Sequence, residues 1–158
     1  MNLYLKGFTA GSNAQYISVE NAEMTLLKLL EMGFGIIALQ NEQLAGFLFA
    51  FPFEPDEEFP SELKNEFTNS LYIAEVVVGA EFRERGIATK MLEEMQHTAI
   101  KLHYDNLILR VWDENVAALN LYRKAGFKDT GVTIRQTKFK DELTPFGMTK
   151  IYLYKNIE

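Results

Sequence analysis

The chain has 158 residues, of which 47% are apolar, and a formal net charge of −6. This length and apolar content predict one domain over residues 1–158. The chain has no cysteine, which excludes disulfides, thiolate metal sites and a cysteine nucleophile. Its acidity argues against nucleic acid as the main partner, because polyphosphate binding usually needs a broad basic surface. No apolar run approaches the roughly 20 residues that cross a bilayer, so we expect a cytoplasmic protein without a membrane partner.

The first 33 residues predict at most a short strand, followed by one amphipathic helix. Gly7 and Gly11 keep any strand within residues 3–12 brief. Residues 19–32 place apolar side chains on one face of a helix, and Gly33 follows as its expected end. The apolar face is formed by Ala22, Leu26, Leu29 and Leu30.

The next segment predicts a β-hairpin and then an acidic connection. Residues 35–39 and 44–51 are apolar runs that flank a short polar turn. Residues 52–70 carry three prolines among acidic side chains, and residues 61–67 within them fit a short helix. The acidic run is either a solvated loop or a rim that attracts a protonated amine.

An acidic residue interrupts the next predicted strand. Residues 71–78 are rich in β-branched side chains and favour a central position in a sheet. Alternation along a strand points Glu75 and Val77 to one face. Val76 and Val78 then point to the other. Glu75 therefore lies at a solvated edge or pairs with a base, or it is a partly buried carboxylate that takes part in proton transfer.

Residues 76–92 run from this strand through a charged turn into a helix, an order that suits anion binding. The first N–H groups of a helix lack intrahelical partners, and the helix dipole adds positive charge there. A phosphate can accept hydrogen bonds from these N–H groups and is attracted by this charge. Gly86 permits close approach of the backbone, and Arg83 and Arg85 add mobile cationic donors. The Lys-Ser or Lys-Thr pair of a P-loop and the three spaced glycines of a dinucleotide fingerprint are both missing, so another phosphorylated cofactor is favoured.

Helices and strands continue to alternate beyond the turn. Residues 107–112 predict a strand, and residues 115–125 predict a helix that Gly126 ends. Two further strands are predicted in the last part of the chain, with Pro145 and Gly147 in their connection. The helix after the charged turn presents an apolar stripe formed by Ile87, Met91, Leu92, Met95, Ala99 and Leu102.

This order of elements favours an α/β or α+β layer around one sheet. His97 and His103 lie in or at the end of the helix with the apolar stripe, and neither has neighbours at metal-ligand spacing. We therefore predict no metal site.

Residues 111–127 carry the second informative motif. It resembles the GNAT pattern Asn-x-x-Ala-x-x-Leu-Tyr-x-Lys-x-Gly-Phe, and its positions are filled by Asn115, Ala118, Leu121, Tyr122, Lys124, Gly126 and Phe127. The earlier Arg83-x-x-Gly86-x-Ala88 resembles the coenzyme A pyrophosphate loop of the same superfamily, the acetyl-CoA-dependent N-acetyltransferases. Two motifs in the right order on compatible secondary structure form a joint signal. The region before Gly33 is shorter than the strand and two helices usual in the family.

The resemblance implies a GNAT-like α/β (α+β) fold with a mixed, mostly antiparallel central sheet flanked by helices and with splayed central strands. It also implies that the strands ending at Val78 and Val111 receive the pantetheine arm of acetyl-CoA. Asn115 would bond this arm or fix the neighbouring turn as a helix N-cap. The implied cofactor-binding residues are Val76, Val77, Val78, Arg83, Glu84, Arg85, Gly86, Ile87, Ala88, Thr89, Asn115 and Tyr122.

The chemistry implied by the resemblance is direct acetyl transfer to a primary amine of a small molecule or peptide. Tyr122 would protonate the coenzyme A thiolate, since a phenol with a pKa near 10 stays protonated at neutral pH. A backbone N–H near Val78 would stabilise the thioester oxygen, and Glu75 is our candidate for the base. The alternative is a non-catalytic acyl-CoA-binding sensor or scaffold. The acceptor is left open, as is a homodimer, which is common in the family.

Overall fold

The computed structural model describes residues 1–9, 14–53 and 59–157. These residues form one mixed sheet with helices on both of its faces. The helices are α1 (Asn2–Thr9), α2 (Val19–Met32), α3 (Ser61–Glu66), α4 (Ile87–Lys101) and α5 (Val116–Lys124). The strands are β1 (Phe34–Gln40), β2 (Gln43–Pro52), β3 (Ser70–Val78), β4 (Asn106–Trp112), β5 (Lys128–Phe139) and β6 (Pro145–Asn156). Within the described ranges, every helix is too short or too polar to cross a bilayer.

The order of strands in the sheet is β1-β2-β3-β4-β6-β5. Only β3 and β4 pair in parallel among the described strands, and the other neighbours are antiparallel. A parallel pair needs a crossover, and the turn and α4 between the two strands provide it. The expected mixed, mostly antiparallel sheet is confirmed.

The sheet has two differently covered faces, which are called the first and second face below. On the first face, α4 and α5 pack against strand residues such as Leu48 and Leu109. On the second face, α3 packs against Tyr72 and its neighbours. The helices α1 and α2 cover the adjoining part of the second face around Phe47 and Val77. The hydrophobic core therefore lies in layers on both sides of the strands.

The predicted hairpin is confirmed and has a tight connection. Asn41 and Glu42 have positive φ values of 50° and 64°. A two-residue loop with positive φ at both positions has the twist that joins two antiparallel strands. This turn fixes the register in which Gln40 lies opposite Gln43.

The beginning of the chain is a helix, so the expected brief strand is wrong. Tyr4 and Phe8 lie one turn apart on α1, with ring centroids 4.9 Å apart, and Tyr4 is fully buried. Gly7 allows the helix to approach the sheet closely, because a Cβ there would lie 3.1 Å from Val77 Cγ1. Packing against the sheet therefore outweighs the low helix propensity of glycine. Gly11 lies outside the described residues.

The helix α2 has the predicted bounds, but the reason for glycine at its end differs from the expected one. Gly33 has an extended φ of −152° rather than a left-handed one. A Cβ at Gly33 would collide with the carbonyl oxygen of Ala50 on β2, so only glycine allows this close contact. Ala22 and Leu29 are buried as expected, whereas Leu30 is 59% exposed and lies off the buried face.

The last two strands extend further than the sequence indicates. Pro145 and Gly147 belong to β6 itself, and the connection is formed by residues 140–144 instead. Pro145 is tolerated because it is the first residue of the strand. Gly147 lies opposite Thr137. The side chain of Arg135 packs over Gly147 and occupies the space that a Cβ would take.

Candidate active site

A gap opens between the two parallel strands in the middle of the sheet. The pairing of β3 with β4 runs only from Ser70 opposite Asn106 to Ile73 opposite Leu109. Beyond these pairs β3 stays bonded to β2 and β4 stays bonded to β6. The expected splayed central strands are therefore confirmed. Residues 74–78 flank the gap on one side and residues 110–112 on the other.

A bulge in β3 determines which way Glu75 points. Phe49 on β2 lies opposite Glu75 and Ala50 lies opposite Ile73, so Ala74 has no partner in the register. An extra residue of this kind shifts the alternation of side chains along a strand. Ile73 and Val76 consequently both pack on the first face. Glu75 is turned to the second face, where it contacts α1.

The backbone of β3 presents unpaired groups to the gap. The N–H of Gly79 donates to the carbonyl of Ala45 on β2, at 2.8 Å. Because successive backbone groups point to opposite edges of a strand, the N–H groups of Val78 and Val76 point into the gap. Val77 lies opposite Phe47 and is directed towards β2. The carbonyl of Val78 accepts a hydrogen bond from Arg83 Nε at 3.4 Å.

The amino terminus of α4 opens beside this gap. Gly86 is the N-cap residue, has a left-handed φ of 75° and provides no side-chain cap. The first backbone bond of the helix is donated by Lys90 to Gly86, so the N–H groups of Ile87, Ala88 and Thr89 have no partner within the helix. The first turn of α4, which lies wholly within the described residues, contains no acidic residue. This end of α4 therefore has the donors and the dipole that bind an anion.

The turn before α4 combines mobile cations with open space. Within the described structure, a Cβ at Gly86 would meet no atom within 4 Å. Arg83 and Arg85 are exposed, and the Arg85 guanidinium lies 5.7 Å from the centre of the Phe82 ring. Glu84 between them is exposed and left-handed, with φ 60°. The predicted loop residues therefore lie together at one end of the gap.

The second motif is a helix with a defined beginning and end. Asn115 is the N-cap of α5, and its Oδ1 accepts a hydrogen bond from the N–H of Ala118 at 3.2 Å. At the other end Gly126 has φ 91°, and the N–H of Phe127 donates to the carbonyl of Tyr122 at 3.0 Å. The N–H of Gly126 also donates to the carbonyl of Arg123, and the two bonds form a Schellman motif, in which a left-handed glycine closes the helix. The spacing of the motif thus specifies the length of α5.

Tyr122 is held between α5 and the first face of the sheet. It is 9% exposed and packs edge to face with Phe127, with ring centroids 5.8 Å apart. Burial raises the pKa of Tyr122, and the nearby charge of Glu75 raises it further. Tyr122 packs on the first face of the sheet, whereas Glu75 is turned to the second. Tyr122 remains a proton donor at neutral pH.

Glu75 is partly buried and is bonded by a residue of α1. The hydroxyl of Tyr4 donates a hydrogen bond to Glu75 Oε1 at 3.2 Å. Burial raises the pKa of Glu75 from its ordinary value of 4.5 to about 7. The Tyr4 hydrogen bond opposes this rise, as do the positive charges of Lys150, Arg110 and Lys138. The carboxyl group therefore exchanges a proton near neutral pH, as a general base must.

Four residues near Glu75 were not found by sequence reasoning. Tyr4 was missed because α1 was not expected to be a helix. The other three are Arg110, Lys138 and Lys150, on β4, β5 and β6. Arg110 and Lys150 each interrupt an apolar strand, and a charge at such a position is a sequence signal that could have identified them.

Among the described residues, no group of three or more histidine, aspartate or glutamate side chains is placed to hold a metal ion. An open groove of about 830 Å³ lies between α1, α2 and β2, and is lined by apolar residues such as Leu26, Leu30 and Phe47. It reaches the gap only at Val78 and the turn after it, among the residues described.

A sequence model described as the acetyltransferase (GNAT) family matches residues 4–127, which include both motifs. The chain belongs to the GNAT acetyltransferase family. The GNAT match ends at Phe127, the residue that packs on Tyr122. A search of curated proteins gives no significant match.

Solved structures share the GNAT fold at low sequence identity. A ribosomal-protein-alanine N-acetyltransferase from Brucella melitensis is 21% identical, with a TM-score of 0.70 over 98% of this chain and 90% of its own. An N-acetyltransferase from Staphylococcus aureus Mu50 is 16% identical, with a TM-score of 0.73 over 99% and 90%. A GNAT family acetyltransferase from Elizabethkingia anophelis, solved with acetyl-CoA bound, is 18% identical, with a TM-score of 0.66 over 85% and 82%.

Proposed function

We propose that this chain, acting as a single domain, transfers an acetyl group from acetyl-CoA directly to a primary amine. The observation that carries this proposal is the gap between β3 and β4, which has the free amino terminus of α4 at one end. Glu75 and Tyr122 approach it from opposite faces of the sheet. A donor held along the gap would have its thioester between a base and an acid.

The donor would be held by backbone groups more than by side chains. The unpaired N–H groups at the start of α4 fit a pyrophosphate, and Arg83 and Arg85 are placed to add charge. The N–H groups of Val76 and Val78 would bond the pantetheine arm. Asn115 would support this arrangement by fixing the start of α5. The bound acetyl-CoA that the Elizabethkingia anophelis structure contains supports this choice of donor.

The reaction would proceed in one displacement without an acyl-enzyme. The amine nitrogen attacks the thioester carbonyl, so that a C–N bond forms and the C–S bond breaks. The amine gives up a proton to Glu75, and the departing thiolate takes one from Tyr122. The N–H of Val78 would stabilise the negative charge that develops on the carbonyl oxygen.

The environments of the two acid–base residues suit these roles. Glu75 has a pKa of about 7, so a substantial part of it is ionised at neutral pH and it binds a proton more strongly than an ordinary carboxylate does. Tyr122 has a raised pKa, so it keeps its proton until a thiolate forms. In a catalytic acid–base pair, the environments of the two groups typically fit one as the acid and the other as the base.

The test is release of free thiol from acetyl-CoA, measured with a panel of amines and peptides. Acetyl transfer predicts amine-dependent release that is lost in Tyr122→Phe. A sensor or scaffold would bind acetyl-CoA with no amine-dependent release from any member of the panel, and this outcome would overturn the proposal. A separate measurement of acetyl-CoA binding shows whether an absence of thiol release reflects loss of the donor site.

A further inference from the structure

The second face of the sheet changes character where β3 and β4 part. At the paired end, its strand residues are buried and form an aromatic cluster with α3 that includes Tyr72, Ile108 and Tyr152. One step further along the same strands and on the same face lie Glu75, Arg110 and Lys150. The face is therefore apolar at one end and charged at the other. The change occurs beside the gap.

The pattern of exposure along β5 shows that this charged region faces inward. Its residues alternate between exposed and half-buried from Gly131 to Phe139. The half-buried set begins with Val132 and Ile134, which pack on the aromatic cluster, and continues with Gln136 and Lys138. A lysine on the inner side of a strand is unusual, because burial of a charge is costly. Lys138 therefore lies on the same face as Lys150, four residues along β5 from Ile134, which is opposite Lys150.

The cations influence each other and Glu75. Burial lowers the pKa of Lys150 to about 8, and the charges of Arg110 and Lys138 lower it further. Burial and Arg110 also lower the pKa of Lys138, while Glu75 raises it. Like charges held together at partly buried positions weaken each other's ionised forms. An anion placed among them would relieve this repulsion.

We propose, on the basis of the acetyl transfer inferred above, that the acceptor is a compact amino-carboxylate whose carboxylate binds Lys150 and Lys138 while its amine lies beside Glu75. Arg110 adds positive charge at the same place. Carboxylate bound by more than one ammonium is a charge-assisted arrangement that a neutral amide cannot reproduce. The acceptor is thereby oriented with its nitrogen towards the gap.

The spacing of the strands limits the size of this acceptor. β4 lies between β3, which carries Glu75, and β6, which carries Lys150, so these two strands are at least roughly 10 Å apart where the gap opens. The Glu75 and Lys150 side chains lie on the same face and shorten the distance that the acceptor has to bridge. An α-, β- or γ-amino acid has its amine and carboxylate separated by a few bonds and fits this interval. A long polyamine has no group for the cations.

Matched acceptor pairs test the inference. The amino acids, β-alanine and 4-aminobutyrate are each compared with the primary amide of the same compound, by calorimetric binding to protein saturated with CoA and by thiol release from acetyl-CoA. O-phosphoethanolamine and ethanolamine form a further pair that separates phosphate from carboxylate recognition. We expect at least one carboxylate to bind about tenfold or more tightly than its amide, the scale of a charge-assisted hydrogen bond.

Three variants identify the site. Lys150→Met is expected to bring the carboxylate and its amide to within about twofold, and Lys150→Arg to retain most of the preference. Lys128→Met is the control, since Lys128 is exposed at the far end of β5. It is expected to leave the preference unchanged.

Each outcome bears on one of the two proposals. The amino-carboxylate acceptor would be overturned if the amides bind as well as the carboxylates, or if only the phosphate compound is preferred. It would also be overturned if no pair binds, or if Lys150→Met leaves the preference unchanged. A carboxylate preference in binding without any thiol release would support the anion site and refute acetyl transfer. Thiol release with neutral amines alone would support acetyl transfer and refute the anion site.

Discussion

The hydroxyl of Tyr4 on α1 donates a hydrogen bond to Glu75 Oε1 on β3, at 3.2 Å, although the two residues are 71 positions apart in the chain. Burial and the Glu75 charge raise the pKa of Tyr4, so it remains the donor in this pair. The first helix is therefore part of the candidate active site as well as part of the fold.

The first prediction concerns the pH dependence of the reaction. If the ionised Glu75 accepts the proton of the amine, kcat/KM for one acceptor falls as pH decreases through about 7, where this carboxyl takes up a proton. Tyr4→Phe removes a hydrogen bond that lowers the pKa of Glu75. The inflection should then move to higher pH. The charged groups around Glu75 on the other strands, Arg110, Lys138 and Lys150, are unchanged in this variant.

Glu75→Gln provides the matching control for this profile. Its pH profile should lose the inflection near pH 7, and its activity should fall by about 10²-fold or more, the scale of general-base removal. An inflection that persists in Glu75→Gln, or that stays in place in Tyr4→Phe, would assign the titration to another group.

The second prediction is that Glu75 lowers the stability of the folded chain at high pH. Its pKa is raised from 4.5 in an unfolded chain to about 7 in the folded one, so the folded state binds the proton more tightly. The free energy of unfolding therefore decreases as pH rises from 4.5 to 7, and the loss is complete above 7. Glu75→Gln should be more stable than the wild type at pH 8, by about 1 to 3 kcal/mol.

Urea denaturation of both proteins at pH 4, 6 and 8 measures this difference. The two unfolding free energies should approach each other at pH 4, because the wild-type carboxyl group is then neutral in both states. A constant difference at all three values would mean that the effect comes from packing and not from ionisation.

The third prediction separates the chemical role of Tyr122 from its packing. Tyr122→Phe keeps the ring that packs on Phe127 and removes the hydroxyl, so the variant should fold and bind acetyl-CoA normally. Turnover should fall by about 10² or more, as when a general acid is removed. Tyr104→Phe, at a half-buried tyrosine after α4, is the control and should retain activity. Normal turnover in Tyr122→Phe would remove this residue from the mechanism.

The fourth prediction tests the start of α4 as the pyrophosphate site. Gly86 and Gly131 both have left-handed φ, 75° and 78°, and both face open space in the described structure. Alanine at either position should cost about 1 kcal/mol of stability through backbone strain alone. Gly86→Glu places bulk and negative charge at the helix start and should weaken acetyl-CoA binding far more than Gly86→Ala does. Equal affinity in these two variants would contradict the proposed loop.

The fifth prediction follows from the ionisation of Lys150. Its pKa is lowered to about 8, so the ammonium loses its proton as pH rises through this value. The charged groups that act on it are Arg110 on β4, Lys138 on β5 and Glu75 on β3. The preference for a carboxylate acceptor over its amide should therefore decrease above pH 8 in the wild type. Lys150→Arg should retain the preference there, because a guanidinium stays charged. Parallel decreases in both proteins would exclude Lys150 as the cause.

The fold and the local structure of the candidate donor site could be predicted because their signals are local. Gly86, Asn115 and Gly126 have conformational roles that depend on a few neighbours along the chain. The hairpin turn and the bounds of α2 are local in the same sense. Such features follow from capping and turn chemistry, which sequence spacing expresses directly.

The acceptor side was less predictable because it is assembled from distant segments. Tyr4 reaches Glu75 only after α1 packs on the sheet, and helix formation by α1 depends on that packing. Lys138 and Lys150 come together with Arg110 only through the strand order β4-β6-β5. A single charged residue in a strand gives no indication of which other charges will lie beside it.

The unpaired Ala74 gives the site a dependence on chain length. The residues before it and the residues after it follow opposite alternations, so one additional residue lets the same strand supply apolar side chains to α4 and a carboxylate to the opposite side. Deletion of Ala74 would exchange the two directions for every residue on one side of it. The position of Glu75 is thus set by the number of residues in β3 as much as by their identity, and a deletion here would be more damaging than any conservative substitution.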